Sequence, residues 1–190
     1  AVMREEAIAV PLVRAKVVDV KPVGMGARVC VDTCDLLSEG EGLLVGSQAS
    51  GLFLIQAEVE DTPHTAARPF RVNAGPVSSY TLTPDGTTKY LSELSTGDKV
   101  LVVSRRGETK PAIVGRTKIE WRPMVMVVAE YEGSMYKTIV QEAETIKFVT
   151  PNGAKAVTEL KPEDEVLMRV EEGGGRHFGV LVKEERIIER

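Results

Sequence analysis

The sequence predicts a mainly β protein, made of repeated small β-barrel or sandwich units with few helices. Three observations lead there. Short runs of β-branched and aliphatic residues recur, glycine and proline punctuate them, and 3.6-residue periodicity is nearly absent. In order along the chain, KVVDVKPV (Lys16–Val23) interleaves valines with charges, as a half-buried strand does. ARVCVDT (Ala27–Thr33) places Val29, Val31 and Thr33 at alternate positions. GLLVGS (Gly42–Ser47) and GLFLIQAEV (Gly51–Val59) are unbroken apolar runs that suit strands buried on both faces. FRVNA (Phe70–Ala74), DKVLVV (Asp98–Val103), AIVGRTKIE (Ala112–Glu120) and PMVMVVAEYE (Pro123–Glu132) follow. YKTIVQ, TIKFV, EVLMRV and HFGVLVKEERII (the last at His177–Ile188) complete the series. The exception is MREEAIAV near the start, whose residues favour the end of a helix.

At 190 residues the chain is long enough for a sizeable core. With 43% hydrophobic but only 5% aromatic residues, aliphatics must build that core. A net charge of -4 argues against a nucleic-acid or anionic-membrane surface, which needs basic patches. The longest uncharged run, Gly42–Ala57, is too short and too polar to span a bilayer as a helix. Arg4, Glu5 and Glu6 interrupt any secretory signal. Cys30 and Cys34, if in one extended strand, lie roughly 13 Å apart, and a disulfide tolerates only about 7 Å. Reduced thiols in a cytoplasmic setting are the expectation. The start at Ala1 rather than methionine suggests a processed or truncated piece of something longer.

The chain repeats itself. LLSEGEGLLV (from Leu36), ELSTGDKVLVV (from Glu93) and ELKPEDEVLMRV (from Glu159) share a leucine, a polar turn, an acid and an apolar strand. LFLIQAEVE from Leu52 echoes MVMVVAEYE from Met124, and PDG at Pro84 matches PNG at Pro151. The organisation read from this is a preceding segment over 1–12, a β domain over 13–134 and a C-terminal β repeat over 135–190. The last two are open to forming one compact unit.

Several residues carry chemistry. The stretch EGEGLLVGSQASGLFLIQAE (Glu39–Glu58) is rich in glycine, yet it lacks the lysine of a phosphate loop and leads into a strand rather than a helix. Ser47, Gln48 and Ser50 form either a plain hairpin turn or a polar ligand-facing loop. In RPFRVNAGP, a strand puts Arg71 and Asn73 on one face, and Phe70, Val72 and Ala74 on the other. A guanidinium beside an amide suits a carboxylate or phosphate, and Arg68 is near enough to join. The alternative is a surface arginine paired with an acid. Candidate acids are Asp32, Glu41, Glu58, Glu60, Glu130 and Glu144. Glu58 ends an apolar run, where burial raises a carboxyl pKa and suits a base; it is otherwise the first solvated position after a buried strand. His177 follows Gly173–Gly175 and is read as a proton shuttle, an anion contact or an exposed hairpin residue.

Taken together, VGMGARVCVDTC, GEGLLVGSQASGLFL, ARPFRVNAGPV, KYLSELSTGDKVLVV and EEGGGRHFGV resemble the archaeal-type, or type II, 3-dehydroquinate synthases. The similarity runs from about Val13 to the last residues and corresponds to the C-terminal half of that family's chains. The resemblance implies an N-terminal half as partner, a small-molecule substrate and NAD as cofactor. The substrate implied is 2-amino-3,7-dideoxy-D-threo-hept-6-ulosonate. Hydride passes to NAD, the imine is hydrolysed, ammonia leaves, and an aldol reaction closes the ring. On this basis Arg68 and Arg71 clamp a carboxylate. Asn73, Ser47, Gln48 and Ser50 bind hydroxyls or the ketone, and Glu58 or His177 is the base. No dinucleotide motif locates the NAD site. In the family GPV is usually followed by His-Ala, where this chain has Ser78–Ser79. The related 3-amino-4-hydroxybenzoate synthases, which use a divalent metal without NAD, are the alternative enzyme, with CVDTC and Glu58 to test for metal. A third reading is a non-catalytic β module that completes a site or holds a homo-oligomer together.

Overall fold

Two stretches run extended well beyond the usual strand length. In the computed structural model, which describes residues 9–171, β1 (Val13–Thr33) runs for 21 residues and β8 (Thr109–Tyr131) for 23. The sequence divides each of these into two strands, at Gly24–Gly26 and at Trp121–Arg122. The structure joins them, because β1 and β8 pair with each other from Lys16↔Glu130 to Thr33↔Val114. Gly24 takes φ +100, and register shifts on both sides of this segment absorb the irregularity as bulges. Most of the MREEAIAV segment, the HFGVLVKEERII strand and His177 lie outside the described residues.

The other strands are β2 (Gly42–Gln48), β3 (Gly51–Gln56), β4 (Arg71–Pro76), β5 (Tyr80–Leu82), β6 (Thr88–Tyr90), β7 (Lys99–Val103), β9 (Ser134–Gln141), β10 (Lys147–Val149), β11 (Ala154–Ala156) and β12 (Glu165–Val170). Single 3-10 turns at Leu91–Glu93 and Val157–Glu159 are the helical pieces among the described residues. Antiparallel pairings close a ring, β3–β12–β1–β8–β7–β2 and back to β3. β4 flanks β1 and β9 flanks β8. The core is aliphatic, with Val29, Val31, Val72, Ala74, Val125 and Val127 in one cluster. Phe53 meets Phe148 edge-on there, with ring centroids 5.9 Å apart.

The glycine-rich stretch is a hairpin. Gln48 pairs with Gly51 across a two-residue turn. Gly42 is needed for close approach, since a Cβ there would stand 1.7 Å from the Ile55 carbonyl oxygen.

The sequence repeat is a structural repeat. β5, turn, β6, 3-10 turn and β7 recur as β10, turn, β11, 3-10 turn and β12. Leu91 and Leu94 in the first copy match Val157 and Leu160 in the second, and all four are buried. The Ser95 amide donates to Asp98 at 2.9 Å, and the Lys161 amide donates to Asp164 at 3.0 Å. Gly97 N–H bonds the Val114 carbonyl at 2.8 Å, and Glu163 N–H bonds the Val17 carbonyl at 2.8 Å. The copies therefore exchange partners: β7 joins the start of β8, and β12 joins the start of β1.

At one matched position the copies differ in chemistry. Gly97 has φ +97, whereas its counterpart Glu163 is held at φ +84. A non-glycine residue in this left-handed region is strained by about 1–2 kcal/mol, and glycine returns roughly 0.5–1 kcal/mol of that through its unfolded-state entropy. Glu163 also pairs with Lys16 at 3.5 Å, an exposed contact of little weight. Glu163→Gly should therefore stabilise the chain by about 0.5–1 kcal/mol, read as a higher urea midpoint at unchanged m-value.

Candidate active site

Two-residue alternation puts Arg28, Cys30 and Asp32 on one face of β1 and turns Val29 and Val31 into the core. Neighbouring strands complete that polar face. β4 sets Asn73 opposite Cys30 and Arg71 opposite Asp32. β8 sets Glu120, Lys118 and Arg116 opposite Arg28, Cys30 and Asp32. Val72 and Ala74 fill the core on the other side of β4, as the sequence pattern requires.

The contacts form neighbouring groups on this face. Arg71 grips Asp32 with two parallel bonds, Nε to Oδ1 at 2.7 Å and Nη2 to Oδ2 at 3.1 Å. Arg116 Nε donates to the same Oδ2 at 2.8 Å. At the other end Arg28 pairs with Glu120, and its Nη1 donates to Gln141 Oε1 at 2.8 Å. Asn73 Nδ2 donates to that same oxygen at 2.9 Å. Arg28 Nε and Asn73 Oδ1 are buried without a hydrogen-bond partner. Glu58 enters from the end of β3. Its amide donates to the Arg71 carbonyl at 2.8 Å, and its carbonyl accepts from the Arg68 amide at 2.7 Å. Its carboxylate lies 3.7 Å from Arg68 Nη1.

Burial and charge set the protonation of this array. Burial, the largest effect, pushes the Glu58 carboxyl up, although Arg71, Arg68 and Arg28 pull it down. Glu58 is only 9% exposed. Burial also pushes the Cys30 thiol up, against the pull of Arg28 and Arg71. Asp32 goes the other way. Desolvation alone would raise it, but the hydrogen bonds and charges of Arg71 and Arg116 together outweigh that and hold it below its ordinary value. Cations prevail on the solvent side, where Arg68, Arg116, Lys118 and Arg122 are all partly exposed.

The residues singled out from sequence therefore divide. Glu58, Arg68, Arg71 and Asn73 come together. The fork of Arg71 is occupied by Asp32, which leaves half-exposed Arg68 as the sequence-predicted arginine open to solvent. Ser47 and Gln48 end β2, and Ser50 stands in the β2–β3 turn. There Gln48 Oε1 accepts from the Lys137 amide at 3.3 Å, and the Ser50 carbonyl accepts from the Glu171 amide at 2.9 Å. Among the other acids, Glu41 caps a turn at Ser38, Glu130 bonds the Gly133 amide, and Glu60 pairs with Lys147. Of the two serines after GPV, Ser78 is exposed, whereas Ser79 is buried with its Oγ unpartnered. Cys34 is exposed, unlike Cys30. Among the described residues no cluster of three or more His, Cys, Asp or Glu is placed to hold a metal ion. No helix there is long and apolar enough to cross a membrane.

A family profile described as the 3-dehydroquinate synthase II C-terminal domain matches residues 14–190. The chain belongs to this family. Among curated relatives of this C-terminal domain, the 3-dehydroquinate synthase of Methanopyrus kandleri is 56% identical over 182 residues, covering 94% of this chain and 45% of the relative. That of Methanocaldococcus jannaschii is 52% identical over 189 residues, covering 99% and 51%. That of Methanothrix thermoacetophila is 56% identical over 182 residues, covering 95% and 49%. The chain thus spans about half the length of the curated relatives it matches. No solved structure gives a significant match.

In this 3-dehydroquinate synthase II domain, sequence reasoning passed over Arg28, Arg116, Lys118, Glu120 and Gln141, and named Asp32 only as one acid of several. A signal was present for most of them. Arg28-x-Cys30-x-Asp32 and Arg116-x-Lys118-x-Glu120-x-Arg122 each place polar groups at every second residue of a strand. Gln141 carried no such mark, because β9 brings it in from a distant part of the chain.

Proposed function

We propose that the full-length protein is a type II 3-dehydroquinate synthase, converting 2-amino-3,7-dideoxy-D-threo-hept-6-ulosonate to 3-dehydroquinate, and that this domain supplies its aldol half. The observation that carries the reading is a carboxyl group, Glu58, buried beneath a half-exposed arginine in a chain of this family. Such a carboxyl, raised by burial and set beside cationic groups, is suited to a proton-exchange role. In this reading Arg68 holds the substrate carboxylate beside Glu58. Glu58 removes a proton from the carbon beside the ketone. The resulting enolate attacks the carbonyl left by imine hydrolysis, and the new alkoxide takes the proton back from Glu58. Arg71, Arg68 and Arg28 supply the positive field around Glu58, and Asp32 holds Arg71 in place.

NAD supplies the hydride acceptor for the earlier oxidation. The described residues do not fit it: the glycine-rich stretch forms two strands and a two-residue turn, not a strand-to-helix phosphate cradle.

The test is to give the full-length protein the substrate with NAD and follow NADH absorbance alongside ammonia release. NADH and ammonia in equal amounts are expected. Product formed with manganese and no NADH would instead assign the metal-dependent relative. Arg68→Ala should raise KM about tenfold, the factor that about 1.4 kcal/mol represents, with a smaller change in kcat. An unchanged KM removes Arg68 from substrate capture.

A further inference from the structure

The apolar face of the β1–β8 ribbon is covered at both ends and bare in the middle. Cross-strand partners share a face, so the pairs Met25↔Pro123, Ala27↔Trp121 and Val29↔Ile119 lie on one side of the ribbon. Along β8 the same alternation continues into Val125, Val127 and Ala129, which are core residues. Along β1 it continues into Val29 and Val31, also core. Between these ends the side chains face solvent: Met25 is 63% exposed, Trp121 65% and Ile119 51%. Trp121 is the sole tryptophan of the chain, and the described residues leave most of it open to solvent. A contiguous apolar band of this kind marks an interaction surface. Tryptophan is the residue most often found at the centre of one.

We infer that this bare middle of the ribbon is the seat of the other half of the full-length polypeptide. The relatives carry about as much chain outside this domain as within it, as the 51% coverage of the Methanocaldococcus jannaschii protein shows. A half of that size is large enough to fold as a domain and to form an interface within the same chain. Trp121 and Ile119 flank Glu120, which holds Arg28 on the opposite face of the same strand. A segment seated on the ribbon therefore lies one strand thickness from the polar array.

Methionine oxidation tests this in the full-length protein without reference to catalysis, so the inference stands or falls apart from the proposed reaction. Met135 is 54% exposed, and it sits opposite Glu130, on the other face of the ribbon from the apolar band. With dilute hydrogen peroxide and peptide mass spectrometry, exposure in this domain alone would make Met25 at least as reactive as Met135. Docking makes Met25 slower by on the order of tenfold, because oxidation follows access to the sulfur. Trp121→Glu in the full-length protein should bring Met25 back toward the rate of Met135. If circular dichroism shows that variant to be misfolded, Ile119→Lys takes its place. Equal rates in the wild-type protein overturn the inference. Protection that disappears on dilution also overturns it, since that outcome assigns the band to a second copy.

Discussion

Asp32→Ala lowers the unfolding free energy by about 3–5 kcal/mol, the range seen when one partner of a buried ion pair is removed. Asp32 is 5% exposed and accepts from two guanidinium groups, and the Arg71 side chain is itself buried. Removing the carboxylate strands that guanidinium on a face where water cannot replace the lost bonds. For a chain of this size the loss corresponds to a fall in Tm of roughly 6–20 °C. Changing both partners, Asp32→Ala with Arg71→Met, should be milder than the sum of the two single changes, since no charge is then left behind. Additive losses in that cycle would refute the pairing. The pH dependence has a definite sign. Asp32 is held below its ordinary value in the folded state, so its contribution is complete above the unfolded pKa of about 3.9. It is lost as pH falls through the lower folded value. The wild-type chain should thus show an acid limb of stability that Asp32→Ala lacks.

On the proposed aldol role, Glu58→Gln in the full-length protein should reduce kcat by about 10²–10⁴, the usual weight of a positioned general base. The fold should survive, because the amide keeps the size of the carboxyl and avoids a buried charge. The linkage here is opposite to that of Asp32. The folded pKa of Glu58 lies above its unfolded value of about 4.3, so its favourable contribution is present below that value and lost as pH rises through the folded pKa. Glu58→Gln should therefore gain on the wild type as pH is raised from 4 to 7, in paired urea titrations. A variant that keeps full kcat would remove Glu58 from the chemistry. One that loses kcat and unfolds together would make it structural.

What could be read in the sequence was local. The β class, the aliphatic core and the repeat are all written in short-range pattern, and each has its counterpart in the fold. So is the two-faced character of Arg71–Val72–Asn73–Ala74. The length of β1 and β8 was not legible, because glycine at 24 and 26 and proline at 22 and 123 normally end strands. Only pairing with a partner that is equally long, with bulges to take up the irregularity, keeps them extended. The array was half legible for the same reason. Residues within one strand could be placed on a face, but which of their neighbours would be Asp32, Glu120 or Gln141 depended on pairings between residues 39 to 113 positions apart.

The exchange of partners between the two copies bears on how the protein is made. β12 ends at Val170, and it pairs with β1, which begins at Val13. A nascent chain leaving the ribosome therefore cannot close the ring until nearly all of this domain has been synthesised. Until then the edges of β1 and β3 that β12 will occupy stay open to other strands. Such distant closure slows folding and lengthens exposure to aggregation, which places the hazard of this architecture in its biosynthesis rather than in its finished state.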